Sequence, residues 1–337
     1  MGLCVVVLAC EGRATPSRVV IAPHVAPHVA PRVSRRDVRV VVDSTVTLAG
    51  ELALPGAAAS RGTPTAVPAV LLLSGSGAQD REGARTELPG YRPFADIADT
   101  LVAAGFAVLR LDDRGTGAST GRFDGATTED FARDAAAAVA WLRRDGRVRP
   151  DRIALVGHSE GALVALLVAR DDPHVWALGL LGAASRPGRD IARWQRATLV
   201  ASDLITWPPV QRAAVLARAE LDADAIAATD PWLRTWFALD PRRIARDVRQ
   251  PVLLLHGEND RQVPVEQADE LAAVLRHART VRLPHTDHLL LDDFDGDPRG
   301  YVRLTSRRLE GNVLRALVAF LEQQNAGNRF SEGKTAK

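Results

Sequence analysis

From about Asp37 the chain begins to alternate apolar and polar positions, first in Val38-Arg39-Val40-Val41-Val42 and then along residues 45–54, where Pro55 and Gly56 end the pattern. A period of two over such short stretches predicts an antiparallel pair of half-buried strands. Further along, the alternation gives way to unbroken apolar runs at 69–73, 107–111, 153–156, 177–182 and 251–255, with a further strand at 280–283. Runs of this length bounded by Gly, Pro, Ser or Asp predict strands buried on both faces. Between them lie stretches of helical period at 94–104, 128–144, 162–169, 266–276 and 313–323. Strands alternating with helices predict an α/β protein whose mainly parallel sheet is covered on both faces.

Two segments depart from the alternation. Between residues 185 and 248 the strand signal disappears, helical stretches rich in Ala and Arg replace it, and Trp194, Trp207, Trp232 and Trp236 all fall there. This segment is expected to be a helical cap inserted over the C-terminal edge of the sheet, with the four tryptophans as candidates for the lining of a substrate pocket. The first 36 residues read as a leader and linker: Leu3 to Cys10 is apolar, and the triplet Ala22-Pro23-His24, Ala26-Pro27-His28, Ala30-Pro31-Arg32 favours extended backbone. Val7-Leu8-Ala9-Cys10 resembles a lipoprotein-type processing site, so export with an N-terminal membrane tether and a cytoplasmic protein with a frayed start both stand. The expected organisation is therefore a body at 37–184 and 249–325, the cap at 185–248, and a flexible tail at 326–337.

Composition narrows the function classes. With 337 residues, 46% of them hydrophobic, the chain can bury a large core. Its 43 basic and 41 acidic residues leave a net charge of +2, which gives nucleic acid no electrostatic footprint to bind. The 2 cysteines are Cys4 and Cys10, so the body carries neither a disulfide framework nor a cysteine metal site.

The apolar run at 153–156 leads into Gly157-His158-Ser159-Glu160-Gly161 and then into a helix. A sharp strand-to-helix turn leaves no room for side chains two residues either side of its centre, which requires glycine at both places and exposes the serine hydroxyl. Ser159 is therefore the candidate nucleophile, against the alternative that a structural turn holds a chance serine. Such a hydroxyl needs a base and an orienting acid. After the strand at 251–255 comes His256-Gly257-Glu258-Asn259-Asp260, where Asp260 is the preferred acid and Glu258 the alternative. After the strand at 280–283 comes His285-Thr286-Asp287-His288, and His288 is preferred to His285 because it reaches further back toward the turn. An oxyanion would be held by the backbone N–H of Glu160 and by one from Ser74-Gly75-Ser76-Gly77, most naturally that of Ser76. His256, Asp260 and His288 could be drawn as metal ligands, but no H-x-x-x-H or H-E-x-x-H helix supports them, and neither metal nor cofactor is expected.

Three motifs in this order, residues 73–81, 109–119 and 157–161, resemble the α/β-hydrolase superfamily, in particular its bacterial esterase and serine-aminopeptidase-like branch. The resemblance implies that Ser159, Asp260 and His288 act together, that 112–119 shapes a turn beside the site, and that the cap controls access. Ser74-Gly75 stands where many relatives have His-Gly. The expected activity is hydrolysis of a small carboxylic ester through an acyl-enzyme. A peptidase or acyltransferase using the same residues is the nearest alternative, and a binding protein that has kept the fold is a more distant one. The partner is a small-molecule ester or amide, and the oligomeric state is not legible.

Overall fold

The computed structural model describes residues 33–56 and 65–327, so the readings of Cys10, the proline repeat and the tail beyond 327 lie outside the described residues. In chain order these residues form β1 (Ser34–Val41), β2 (Thr47–Leu54), β3 (Val67–Leu73), α1 (Pro93–Ala103), β4 (Ala107–Leu111), α2 (Thr128–Arg143), β5 (Val148–His158), α3 (Glu160–Asp171) and β6 (Ala177–Leu181). They continue with α4 (Gly188–Asp203), α5 (Pro209–Thr229), α6 (Pro231–Ala238), α7 (Pro241–Ala245), β7 (Val252–Gly257), α8 (Glu266–Ala272), β8 (Ala278–Leu283) and α9 (Gly311–Gly327), with a 3-10 turn at Pro298–Arg303 before α9. Three boundaries differ from expectation. β1 starts at Ser34 rather than Asp37, α8 stops at Ala272 rather than 276, and α9 runs on to Gly327, into what the sequence suggested was a loose tail.

The strands form one sheet in the order β1-β2-β4-β3-β5-β6-β7-β8. β1 and β2 pair antiparallel, as does β2 with β4, and every other pairing is parallel. Period-two alternation sorts the buried strands onto two cores. Leu71 and Leu155 face α2, α3 and α8 on one side, while Val70 and Val156 face α1 and α9 on the other. Neither face is left to solvent, which is why these strands read as continuous apolar runs.

Local chemistry sets the helix starts. Thr127 and Asp130 form a reciprocal capping box at the head of α2. In the insertion, proline stands at the first positions of α5, α6 and α7, and Asp230 and Asp240 cap α6 and α7 through their side chains. These residues cut the 188–245 stretch into four helices with a small core of their own, made by Ala192, Ala223, Ala227 and Phe237.

The sheet also anchors the loop that follows β3. Arg110, in the middle of β4 and 4% exposed, reaches Glu51 of β2 at 2.6 Å and Glu82 of that loop at 2.8 Å. Replacing it with an apolar side chain leaves two inward-facing carboxylates without their shared cation, although Glu51 keeps Arg35 and Glu82 keeps Arg92. Arg110→Met is expected to cost about 3 kcal/mol of unfolding free energy, at the low end for a broken buried pair. For a chain of 337 residues that corresponds to a melting temperature roughly 4–5 °C lower in calorimetry.

Candidate active site

The site is built around Ser159, which joins β5 to α3 with φ 54° and ψ −117°. Few non-glycine residues adopt this conformation, and it persists only where the surroundings enforce it. Here backbone does the enforcing. A Cβ at residue 157 would lie 2.1 Å from the Gly161 carbonyl oxygen, and one at residue 161 would lie 2.3 Å from that of Leu73. The Ser159 N–H donates to the Leu181 carbonyl at 2.9 Å, tying the turn to β6. Ser159 thus sits at the C-terminal edge of the parallel strands and at the N-terminus of α3, where helix dipole and free N–H groups favour negative charge.

Neighbouring strands deliver the other groups to the same edge. His288, on the loop after β8, places Nε2 3.1 Å from Ser159 Oγ and Nδ1 2.7 Å from Asp260 Oδ2, on the loop after β7. The carboxylate accepts, so Nδ1 carries the proton and Nε2 is left as an acceptor facing the hydroxyl. Asp260 is shielded from solvent, and burial alone would push its carboxyl up. The charge of His288 and hydrogen bonds from His256 and His288 outweigh burial and hold it well below the usual carboxylate range. The N–H groups of Gln262 and Val263 donate to its other oxygen at 2.9 and 2.8 Å. The alternatives raised by the sequence are separated by position: Glu258 is exposed, and His285 is exposed and packs against Phe294.

Two further histidines hold this arrangement: His256, which reads in the sequence as the end of a strand, and His158, which reads as part of the turn's framework. His256 Nε2 lies 2.9 Å from the Val263 carbonyl and 3.2 Å from Asp260 Oδ2, the oxygen that His288 also contacts. Its spacing of four residues from Asp260 across a glycine was the available signal. His158 Nε2 donates to the His288 carbonyl at 2.7 Å. Burial, and then the neighbouring His288, push His158 down to about 3, so it serves as a neutral donor. The His288 loop is tied down further by Tyr91 Oη donating to the Leu289 carbonyl and by the Leu291 N–H donating to Asp287 Oδ1.

On the other side of Ser159 runs the loop after β3. Gly75 lies against the turn, where a Cβ would come within 3.3 Å of the Ser159 Cβ. Ser74 Oγ donates to Asp113 Oδ1 at 2.6 Å, and the Gln79 N–H donates to Asp113 Oδ2 at 2.9 Å. Asp113 therefore stitches both ends of the loop, and Ser74 has a structural part that the sequence did not reveal. Arg81 forks onto Asp112, in keeping with a shaping part for the 112–119 turn.

Above these groups opens a cleft of about 260 Å³ whose wall includes Ser76, Ser159, Glu160, Leu163, Trp232 and His288. Trp232 and Trp236 stack with ring centroids 5.2 Å apart and both line it. Trp232 Nε1 donates to the Glu160 carboxylate at 2.8 Å, and Thr128 Oγ1 donates to the same oxygen at 2.7 Å, so the residue after Ser159 also holds α6 down. The other two tryptophan candidates do not line the cleft, and this corrects the expectation. Trp207 is half-exposed in the turn between α4 and α5, and Trp194, also half-exposed, donates Nε1 to the Arg261 carbonyl at 2.9 Å. Helical spacing alone does not say which indole faces inward. Gln195, Gln262 and Arg85, which also line the cleft, gave no signal in the sequence.

Known proteins resemble this chain in the same region. A family model described as serine aminopeptidase, S33, matches residues 91–295. An uncharacterized peptidase, YuxL, of Bacillus subtilis is 26% identical over 229 residues, covering 64% of this chain, which spans only 30% of that protein's length. A putative carbamate hydrolase, RutD, of Variovorax paradoxus is 31% identical over 212 residues, covering 56% of this chain and 76% of that protein. Among solved structures, Est1E from Butyrivibrio proteoclasticus with ferulic acid bound superposes with a TM-score of 0.57 at 19% identity, covering 86% of this chain and 99% of the other, which shows a shared fold.

One group beside His288 titrates in an accessible range. Asp287 is buried with no partner for Oδ2, and burial, then the charges of Asp293 and Asp260, push it up to about 7 against the Leu291 N–H. Because the folded value lies above the ordinary carboxylate value of about 4, this group favours the fold fully below about pH 4 and loses that contribution as pH rises through about 7. Asp287→Asn keeps the shape and removes the titration. Its stability relative to wild type, measured by urea denaturation, is expected to climb between about pH 4 and about pH 8. A difference that stays flat across that range contradicts the assignment.

Proposed function

The chain belongs to the serine aminopeptidase S33 family of α/β-hydrolases, and from that premise we propose that it is a serine hydrolase cleaving small carboxylic esters through an acyl-enzyme. The observation that carries this reading is the continuous hydrogen-bonded chain from Ser159 Oγ through His288 to Asp260, at 3.1 and 2.7 Å, opening onto the cleft. In this reading Ser159 Oγ attacks the ester carbonyl carbon while its proton passes to His288 Nε2. Asp260 keeps the imidazole oriented and stabilises the imidazolium that forms. Negative charge on the carbonyl oxygen is met by the N–H of Glu160, at the head of α3, and by that of Ser76, on the loop after β3. The tetrahedral adduct then expels the alcohol, which takes the proton back from His288. Water, deprotonated by the same nitrogen, cleaves the acyl-Ser159 ester and restores the hydroxyl.

The Ser159 backbone conformation supports this reading, because strained backbone of this kind costs free energy and clusters at sites where it positions a functional side chain. The description of the matching family favours one second reading, in which an aminoacyl amide is cleaved by the same steps. An ester panel run beside aminoacyl p-nitroanilides separates the two. Short p-nitrophenyl esters are expected to be turned over by wild type. Ser159→Ala is expected to lose a factor on the order of 10³ or more in kcat, with an unchanged circular dichroism spectrum. Equal turnover in the folded variant overturns the role given to Ser159.

A further inference from the structure

We propose that a second cavity, between α4 and the loop after β7, is a distal subsite for the chain of the substrate's alcohol, entered from the cleft past the Gln195 side chain. This rests on the reading of Ser159 and His288 given above. The cavity measures about 140 Å³ and is lined by Thr198, Leu199, Arg261, Asp297 and Pro298. Gln195 and Gln262 line both this space and the cleft, so those two residues form the partition between them.

The partition is asymmetric. Gln262 is fixed, with its N–H on Asp260 at 2.9 Å and its Nε2 on the Tyr301 hydroxyl at 3.1 Å. The backbone beside it is fixed as well, through Trp194 Nε1 on the Arg261 carbonyl. The Gln195 side chain is held to that loop by a single contact, Nε2 to the Gln262 carbonyl at 3.4 Å, near the long limit for a hydrogen bond. Rotation of that one side chain joins the two spaces while α4 stays anchored. The annex adds about 140 Å³ to a cleft of about 260 Å³, and the joined space is of a size usual for small-molecule sites.

The chemistry of the reaction says which half of the ester goes there. His288 Nε2 returns its proton to the leaving oxygen, so the alcohol lies on the His288 side of Ser159 and the acyl group points away from it. Gln262 and Val263 continue the loop that carries Asp260, and they form the cleft wall on that side. Leu199 and Pro298 offer apolar contact, with Thr198, Arg261 and Asp297 beside them, and Leu199 is 40% exposed. The subsite therefore suits a flexible alkyl chain whose far end reaches water.

The test uses two series on the full chain. One is acetate esters of straight-chain alcohols from ethyl to decyl, and the other is p-nitrophenyl esters with acyl chains from acetyl to decanoyl, each normalised to its shortest member. Leu199→Trp, which fills the annex, is expected to lower kcat/KM for the long alkyl acetates about 10-fold against ethyl acetate while leaving the normalised acyl series in place. Thr198→Phe, filling the same space from the adjacent position, is expected to shift the alcohol series in the same direction, so a folding defect in one variant leaves the other to decide. A shift in the acyl series instead, or no change in either profile, overturns the subsite. Turnover surviving in Ser159→Ala overturns the underlying reading of the nucleophile, a separate outcome read in a separate variant.

Discussion

Backbone packs directly on backbone around Ser159, and that contact sets the rest of the site. The chain on either side of the serine has no room for a Cβ, since residue 161 presses on the end of β3 and residue 157 on residue 161 itself. Strand β5, helix α3 and the loop after β3 are consequently held within contact distance of one another. The serine is left in a conformation that it would not adopt by itself. The central position of β5, between β3 and β6, makes this possible, because strands on both sides are in register up to the turn. Everything else at this edge is positioned against that fixed point.

Electrostatics then orders the loops. Asp260 is a carboxylate removed from water, a costly state unless donors surround it, and here they come from two histidines and two backbone N–H groups. The same contacts fix the direction of His288, so satisfying the buried charge and aiming the imidazole at Ser159 are one physical event. His158 extends the arrangement: because burial keeps it neutral, it donates to the His288 carbonyl without adding a second positive charge beside the imidazole. On the opposite side, Asp113 gathers Ser74 and Gln79 and so shapes the loop that carries Ser76.

Much of this was legible in the residues. Unbroken apolar runs marked the buried strands because both sheet faces are covered, and the glycine spacing marked the turn because its requirement is steric and local. The order Ser159, Asp260, His288 was legible because each follows a strand of the same sheet. What stayed hidden depended on direction in three dimensions. Sequence spacing could not tell that Trp232 and Trp236 turn inward while Trp194 staples α4 to the loop after β7. Nor could it show that a glutamate chosen for its backbone N–H also anchors an indole through its carboxylate. Gln195 and Gln262 matter only because α4, the loop after β7 and the 3-10 turn at Pro298–Arg303 meet there, and glutamine carries no pattern that announces such a meeting. The head of β1 and the last two residues of α9 were read as loose because their order comes from pairing with β2 and from continuing a helix packed on the sheet.

The insertion divides the labour accordingly. The sheet fixes Ser159, Asp260 and His288, and α4 and α6 shape the space above them through a few contacts, two of which end on residues beside Ser159 or Asp260. The central claim is that Ser159 is an activated nucleophile. It is tested most directly by treating the protein with a serine-reactive fluorophosphonate and mapping the adduct by mass spectrometry of the digested chain. A single phosphonyl group on Ser159, formed in wild type and absent when His288 is replaced by alanine, is the predicted result. A label on another residue, or an unmodified Ser159 under conditions that inactivate the protein, would contradict it.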